Sequence, residues 1–180
     1  MISRLVLLGL IVAACGPVGG DTASPSPSYA SVALGDGCLV GRWVEQKQLS
    51  PGNYGQGTGE RFTVTGLAGL VITYAADGTE TDDYSAAKSL DGGYRGNQIK
   101  IVVRGSITYQ DHADGSYIVQ SKPVGSPTVT YSANGGPLAG GTSSFAPAQI
   151  SYTCAGSFLH LETPPTLYGY GPQMDDLVRG

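Results

Sequence analysis

From Cys38 onward, apolar and polar residues alternate with a period of two in short runs separated by turn residues. Residues 61–65 (Arg-Phe-Thr-Val-Thr) are the cleanest example, and 69–74, 80–84, 117–119, 128–131, 149–154 and 158–162 follow the same rule. The longest run is 98–109, where Ile99, Ile101, Val103, Ile107 and Tyr109 share one face, while Lys100, Arg104, Ser106 and Thr108 share the other. Asp77-Gly78, Asp114-Gly115 and Asn134-Gly135 mark hairpin tips, because Gly and Asn reach the positive φ angles that tight turns require. The pattern predicts an all-β domain of about eight antiparallel strands joined mostly by hairpins. An open sheet of that size would expose two edges, so a closed up-and-down barrel is the expected architecture, with a two-sheet β-sandwich as the alternative.

A barrel of about eight strands leaves an interior that side chains fill or that holds one small ligand. Alternation places Leu39, Gly41, Trp43, Leu70, Ile72, Ile99, Ile101, Val103 and Ile107 inside. Trp43, Leu70, Ile72, Tyr74, Ile101, Val103 and Ile107 are the candidate ligand contacts. Glu80, Asp82 and Asp83 form the densest acidic cluster. Their spacing does not fit an EF-hand loop, so they read as a solvated strand face and not as a metal site.

The N-terminal pattern is different. Met1-Ile2-Ser3-Arg4 precedes an apolar run from Leu5 to Ala14, too short to span a membrane, and the layout is that of a secretory signal over residues 1–14. Val12-Ala13-Ala14-Cys15 resembles a bacterial lipobox, which implies lipidation of Cys15 and attachment to the outer face of the cell membrane. Residues 15–37, with Gly19-Gly20 and Ser24-Pro25-Ser26-Pro27-Ser28, read as a tether.

Composition narrows the function. Charged residues make up 13% of the 180-residue chain and the net charge is −4, which excludes the clustered basic face of a nucleic-acid binder and a polybasic membrane patch. With Cys15 lipidated, the remaining two of the 3 cysteines, Cys38 and Cys154, form an even pair in an oxidising compartment and are expected to be bridged. A metal pair or a reactive thiol lacks the neighbouring His or second Cys such chemistry uses. Gly55, Gly57 and Gly59 are not followed by the Lys-Ser/Thr of a phosphate loop. His112, flanked by Asp111 and Asp114 that could orient it, has no nucleophile in a Gly-x-Ser-x-Gly turn, and His160 alternates with Leu159 and Leu161 on an outer face. No catalytic set and no cofactor motif emerges, so the chain reads as a non-enzyme.

Gly41-Arg42-Trp43 at the head of the first strand, followed by a meander, resembles the lipocalin or wider calycin pattern. That resemblance implies a barrel closed at one end by Trp43 and an Arg after the last strand stacked on it, for which Arg179 is the late candidate. Together with the lipobox, Cys38-Leu39-Val40-Gly41-x-Trp43, the Ala76-Asp77-Gly78-Thr79 tip and Tyr152-x-Cys154-x-Gly156, the chain resembles small actinobacterial-type surface lipoproteins of uncharacterised function. The expected organisation is a signal (1–14), a lipidated tether (15–37), a barrel (38–170) and a tail (171–180). The expected role is binding of a small apolar or amphipathic molecule for storage, transport or envelope maintenance. The alternative is a filled barrel acting as a structural or protein-interaction module.

Overall fold

The structure is a computed structural model that describes residues 34, 36–53, 61–121, 123–138, 148–164 and 172–180. Its strands, in chain order, are β1 (Gly41–Asn53), β2 (Arg61–Gly66), β3 (Val71–Tyr74), β4 (Thr79–Asp83), β5 (Leu90–Tyr94), β6 (Asn97–Arg104), β7 (Ser106–Ala113), β8 (Tyr117–Gln120), β9 (Val124–Gly125), β10 (Thr128–Ala133), β11 (Gly136–Pro137), β12 (Gln149–Ala155), β13 (Phe158–Thr163) and β14 (Gln173–Arg179). Among the described residues there is no helix.

Eight of these strands close into an antiparallel barrel. The ring runs β1, β3, β4, β7, β8, β12, β13, β14 and returns to β1, so each barrel strand pairs with its predecessor among them, as in an up-and-down meander. The expected barrel is therefore observed, with three excursions from the meander. Strand β2, the β5–β6 hairpin and the β9–β11 segment leave the ring in turn. Strands β2, β5, β6, β10 and β11 extend a second sheet from the far half of β1, where Gln48 to Asn53 pair with β2, and β9 pairs with β7.

The run 98–109 is not one strand. Gly105, at φ +98°, turns the chain between β6, which belongs to the second sheet, and β7, which belongs to the barrel. A glycine is needed there because a side chain at positive φ costs about 1–2 kcal/mol. Ile99, Ile101 and Val103 consequently lie on β6 and outside the barrel, contrary to the expectation from alternation. Ile99 and Val103 are buried in the second sheet, and Ile101 is half-buried.

The last barrel strand comes from the segment expected to be a tail. Strand β14 fits between β1 and β13 and closes the ring. It was hidden in the sequence because Met174-Asp175-Asp176-Leu177 breaks the alternation of apolar and polar residues. At the other end, packing begins before Cys38: Leu34 is buried and its N–H donates to the carbonyl of Ala76, and the Tyr152 hydroxyl donates to Asp36 Oδ2 at 2.8 Å. The signal, Cys15 and the glycine loop at 55–59 lie outside the described residues.

The start of β1 closes one end of the barrel. Trp43 and Leu39 are wholly buried, and the Trp43 indole N–H donates to the Leu39 carbonyl at 2.7 Å. The Arg179 guanidinium lies 4.3 Å from the Trp43 ring centroid and donates to the carbonyls of Cys38 (2.7 Å) and Val40 (3.1 Å). Gly41 makes room for it: a Cβ there would sit 2.5 Å from Arg179 Nη1, at a φ of +139°. The Gly-x-Trp spacing is thus explained by one arginine. Gly41→Ala should lower stability by about 1–3 kcal/mol through strain and displacement of the guanidinium. Arg179→Ala should cost about 1–2 kcal/mol through the lost stack and two charge-assisted bonds, and urea unfolding followed by Trp43 fluorescence reads both. A Gly41→Ala protein as stable as the parent would show that Arg179 does not need the space.

Cys38 and Cys154 are bridged, with Cα atoms 6.2 Å apart. The bond ties the segment entering β1 to β12, across 116 positions of sequence.

Candidate functional site

The barrel interior carries acidic side chains among its apolar ones. Five carboxylates are buried: Glu45 on β1, Glu80 and Asp82 on β4, Asp111 on β7 and Asp175 on β14, none more than 6% exposed. Every Lys and Arg whose side chain is described is exposed, so none of these neutralises the acids from within. This overturns the reading of Glu80 and Asp82 as a solvated face; only Asp83, the third member of that cluster, is exposed.

Register explains the burial. In the β3–β4 hairpin Tyr74 is opposite Glu80 and Ile72 opposite Asp82. Residues opposite one another across a ladder share a sheet face. Because Ile72 and Tyr74 point inward, their acidic partners must do so too. Across β4 and β7 the same rows continue with Tyr109 opposite Glu80 and Ile107 opposite Asp82. Asp111, two residues after Tyr109, faces inward, while His112 between Asp111 and Ala113 is exposed on the outer face. Asp111 therefore cannot orient His112. On β1 a register shift between Glu45 and Lys47 inserts an extra residue, so that Trp43, Glu45 and Gln48 all point inward.

The carboxylates form two groups. In one, Glu80, Asp82 and Asp111 interact electrostatically, and the Gln120 amide donates to Glu80 Oε2 at 3.0 Å. Like charges buried side by side resist ionising together, so the row titrates as a coupled set. Burial, then the acidic neighbours, pushes Glu80 and Asp82 well above the usual carboxylate range. Burial likewise raises Asp111, to about 6, with the charge of Asp82 adding to it. In the other group, Asp175 accepts from the Gln48 amide at 2.5 Å and the Gln173 amide at 3.0 Å, and burial raises it to about 6. Glu45 Oε1 accepts the backbone N–H of Lys47 (3.0 Å) and Asp176 (3.2 Å), while burial and the charge of Asp175 raise it to about 9.

Three tyrosines stand among these acids. The Tyr84 hydroxyl is 3.4 Å from Asp82 Oδ2, and Tyr109 feels Asp82, Glu80 and Asp111. Tyr74, 1% exposed, feels the charges of Glu80, Asp82, Asp111 and Asp175, yet its hydroxyl has no hydrogen-bond partner. Glu45 Oε2 and Asp82 Oδ1 are also without one. Both Asp111 oxygens lack one as well. A buried polar atom left so costs about 1–3 kcal/mol, and a cluster of them is rare in a packed core.

Of the sequence-derived ligand contacts, Trp43, Ile72, Tyr74 and Ile107 meet inside the barrel, and Leu70 is buried on the turn entering β3. Ile101 and Val103 do not join them. The alternation missed Glu45, Glu80, Asp82, Asp111 and Asp175, the most distinctive inner residues. Among the described residues no three His, Cys, Asp or Glu side chains are gathered as a metal ion requires.

On the outer face, a groove of about 360 Å³ runs between β12, β13 and β14 beside Phe158 and Val178. His160 Nδ1 pairs with Asp176 Oδ1 at 2.7 Å in its wall, as expected of an outward strand position. Set against known proteins, the chain matches no protein family, no curated protein and no solved structure.

Proposed function

We propose that this chain is an extracytoplasmic binding module, held to the cell membrane by a lipid on Cys15, whose barrel takes up a small amphipathic molecule. The observation that carries the reading is the interior itself: a closed barrel, capped at one end by Trp43 and Arg179, that buries polar atoms with no partner in the chain. A barrel built only to be stable gains by filling its interior with apolar side chains, since an unpartnered buried oxygen costs free energy that a methyl group does not. The inner wall instead combines apolar faces (Ile72, Ile107, Leu159, Leu177) with polar tips, which suits a molecule that is apolar over most of its surface and polar at one point.

Native mass spectrometry of protein purified from its own host, compared with the denatured mass, should reveal a co-purifying small molecule, and Trp43 fluorescence should change when that molecule is extracted. Identical native and denatured masses, with no response to amphipathic probes, would remove the carrier reading. In that event the exposed Phe158 beside the β12–β14 groove supports the second reading, a filled barrel that works through its outer face. Labelling with a fatty-acid analogue should be abolished by Cys15→Ala; persistent labelling would refute the anchor without touching the barrel.

A further inference from the structure

We infer that the polar end of the ligand is a protonated amine, seated against the Asp111, Glu80 and Asp82 row with the Tyr74 hydroxyl beside it; the inference rests on the carrier reading above. Three observations converge on that class. The first is sign. The described interior holds five carboxylates and no basic side chain, so a ligand bearing a cation supplies the missing charge and an anionic one, such as a fatty acid, meets repulsion. The second is the identity of the unpartnered atoms. Asp82 Oδ1, the Asp111 oxygens and the Tyr74 hydroxyl oxygen are all acceptors, and a primary ammonium offers three N–H donors and no acceptor. Tyr74 is an independent sign, because it is not an acid, is 1% exposed, and stands directly opposite Glu80 with its hydroxyl unpartnered.

The third is the surround. Tyr74, Tyr84 and Tyr109 bring aromatic rings next to the acids, and ring faces attract ammonium groups, more strongly where water is excluded. A divalent metal would need several carboxylate oxygens drawn together, and the described residues show no such set. An organic ammonium needs less: one ionised carboxylate, hydrogen-bond acceptors and aromatic walls. The row provides that arrangement near neutral pH. Asp111, raised least, ionises first, while Glu80 and Asp82 keep their protons, so the row presents about one negative charge to one positive ligand. Where Asp111 is still protonated before binding, a cation favours its ionised form and the proton leaves to solvent.

The test is calorimetric titration of the intact, disulfide-bonded protein at pH 6.0 with three octyl compounds, n-octylamine, n-octanol and octanoate, and three phenethyl ones, phenethylamine, phenethyl alcohol and phenylacetate. Calcium chloride is a further arm, and each titration is run in two buffers of different ionisation enthalpy. At least one amine should bind at one per chain, tenfold or more tighter than its alcohol, with net proton release, and its carboxylate should not bind. Asp111→Asn, which keeps size and removes charge, should weaken the amine tenfold or more and leave the alcohol unchanged. Tyr74→Phe should weaken the amine less, and Asp83→Asn on the outer face should change nothing. If alcohols or carboxylates bind as well as amines, or Asp111→Asn leaves amine affinity intact, the amine assignment fails while the carrier reading stands. If calcium alone binds and releases protons, the site is a metal site and the assignment fails. If no compound binds, the carrier reading falls with it.

Discussion

Replacing Cys38 and Cys154 together with serine should lower the unfolding free energy by about 4 to 5 kcal/mol, on the chain-entropy account of a loop longer than about a hundred residues. The bridge spans 116 positions and links the strand entry beside Trp43 to β12, which are not neighbours in the meander. It removes unfolded conformations in which the two ends of the barrel sequence drift apart, and it fixes the segment whose carbonyls, at Cys38 and Val40, hold Arg179. The loss should therefore exceed that of Arg179→Ala and should lower the melting temperature by roughly 10–20 °C for a domain of this size. Thermal unfolding of the double variant beside the oxidised parent gives the comparison. A melting temperature within a few degrees of the parent would mean that the unfolded chain gains little freedom when the link is cut.

The architecture was legible because it depends on features that short-range pattern records. Two-residue periodicity, Asp-Gly and Asn-Gly tips and the need to hide edges lead to a meander barrel, and the even cysteine count leads to the bridge. Two kinds of information were not local. The first is where a strand changes sheet: from 98 to 109 the alternation keeps the same parity through Gly105, so pattern alone cannot separate β6 from β7. Only the position of Gly105 in the middle of the run signals a bend. The second is which face of a polar strand points inward. In Thr79-Glu80-Thr81-Asp82-Asp83 both faces are polar, so hydrophobicity cannot choose between them. The choice was nonetheless implicit in the hairpin. With Asp77-Gly78 at the tip, Tyr74 and Ile72 pair with Glu80 and Asp82, and an inward Ile72 commits Asp82 to the interior. The solvated face expected for Glu80 and Asp82 fails because the hairpin register outweighs the general preference of carboxylates for water.

The same buried acids make stability fall as pH rises, opposite to the usual course for a protein whose carboxylates are salt-bridged. A free carboxylate in the unfolded chain titrates near about 4, whereas inside the barrel burial raises Asp111 and Asp175 to about 6 and Glu45 to about 9. Between these limits the folded protein binds more protons than the unfolded chain. Stability from these groups is then complete below the unfolded value and declines as pH rises to the folded ones, by about 1.4 kcal/mol per group per pH unit at most. The groups facing each acid set the share it contributes. Glu80 and Asp82 face Asp111. Gln48 and Gln173 hydrogen-bond Asp175, the charge of Asp175 acts on Glu45, and His160 and Asp176 act on these acids from the outer face. Glu80 and Asp82, also raised, add to the decline, and the buried Tyr74, Tyr84 and Tyr109 prolong it at high pH. Asp77, Asp83 and Asp114 are lowered by turn hydrogen bonds, so they act only below about 4. Urea unfolding of ligand-free protein should therefore show its highest midpoint near about pH 4–5 and lose several kcal/mol by about pH 9. Asp175→Asn should flatten the segment between about pH 4 and 6, because it removes one of the two groups titrating there. A midpoint that holds or rises from pH 5 to 9 would mean that the acids ionise at no cost, through water or a bound cation inside the barrel. Repeating the profile with a bound amine separates those cases, since a ligand that prefers ionised Asp111 reduces the loss at neutral pH, whereas water already inside the barrel leaves the two profiles parallel.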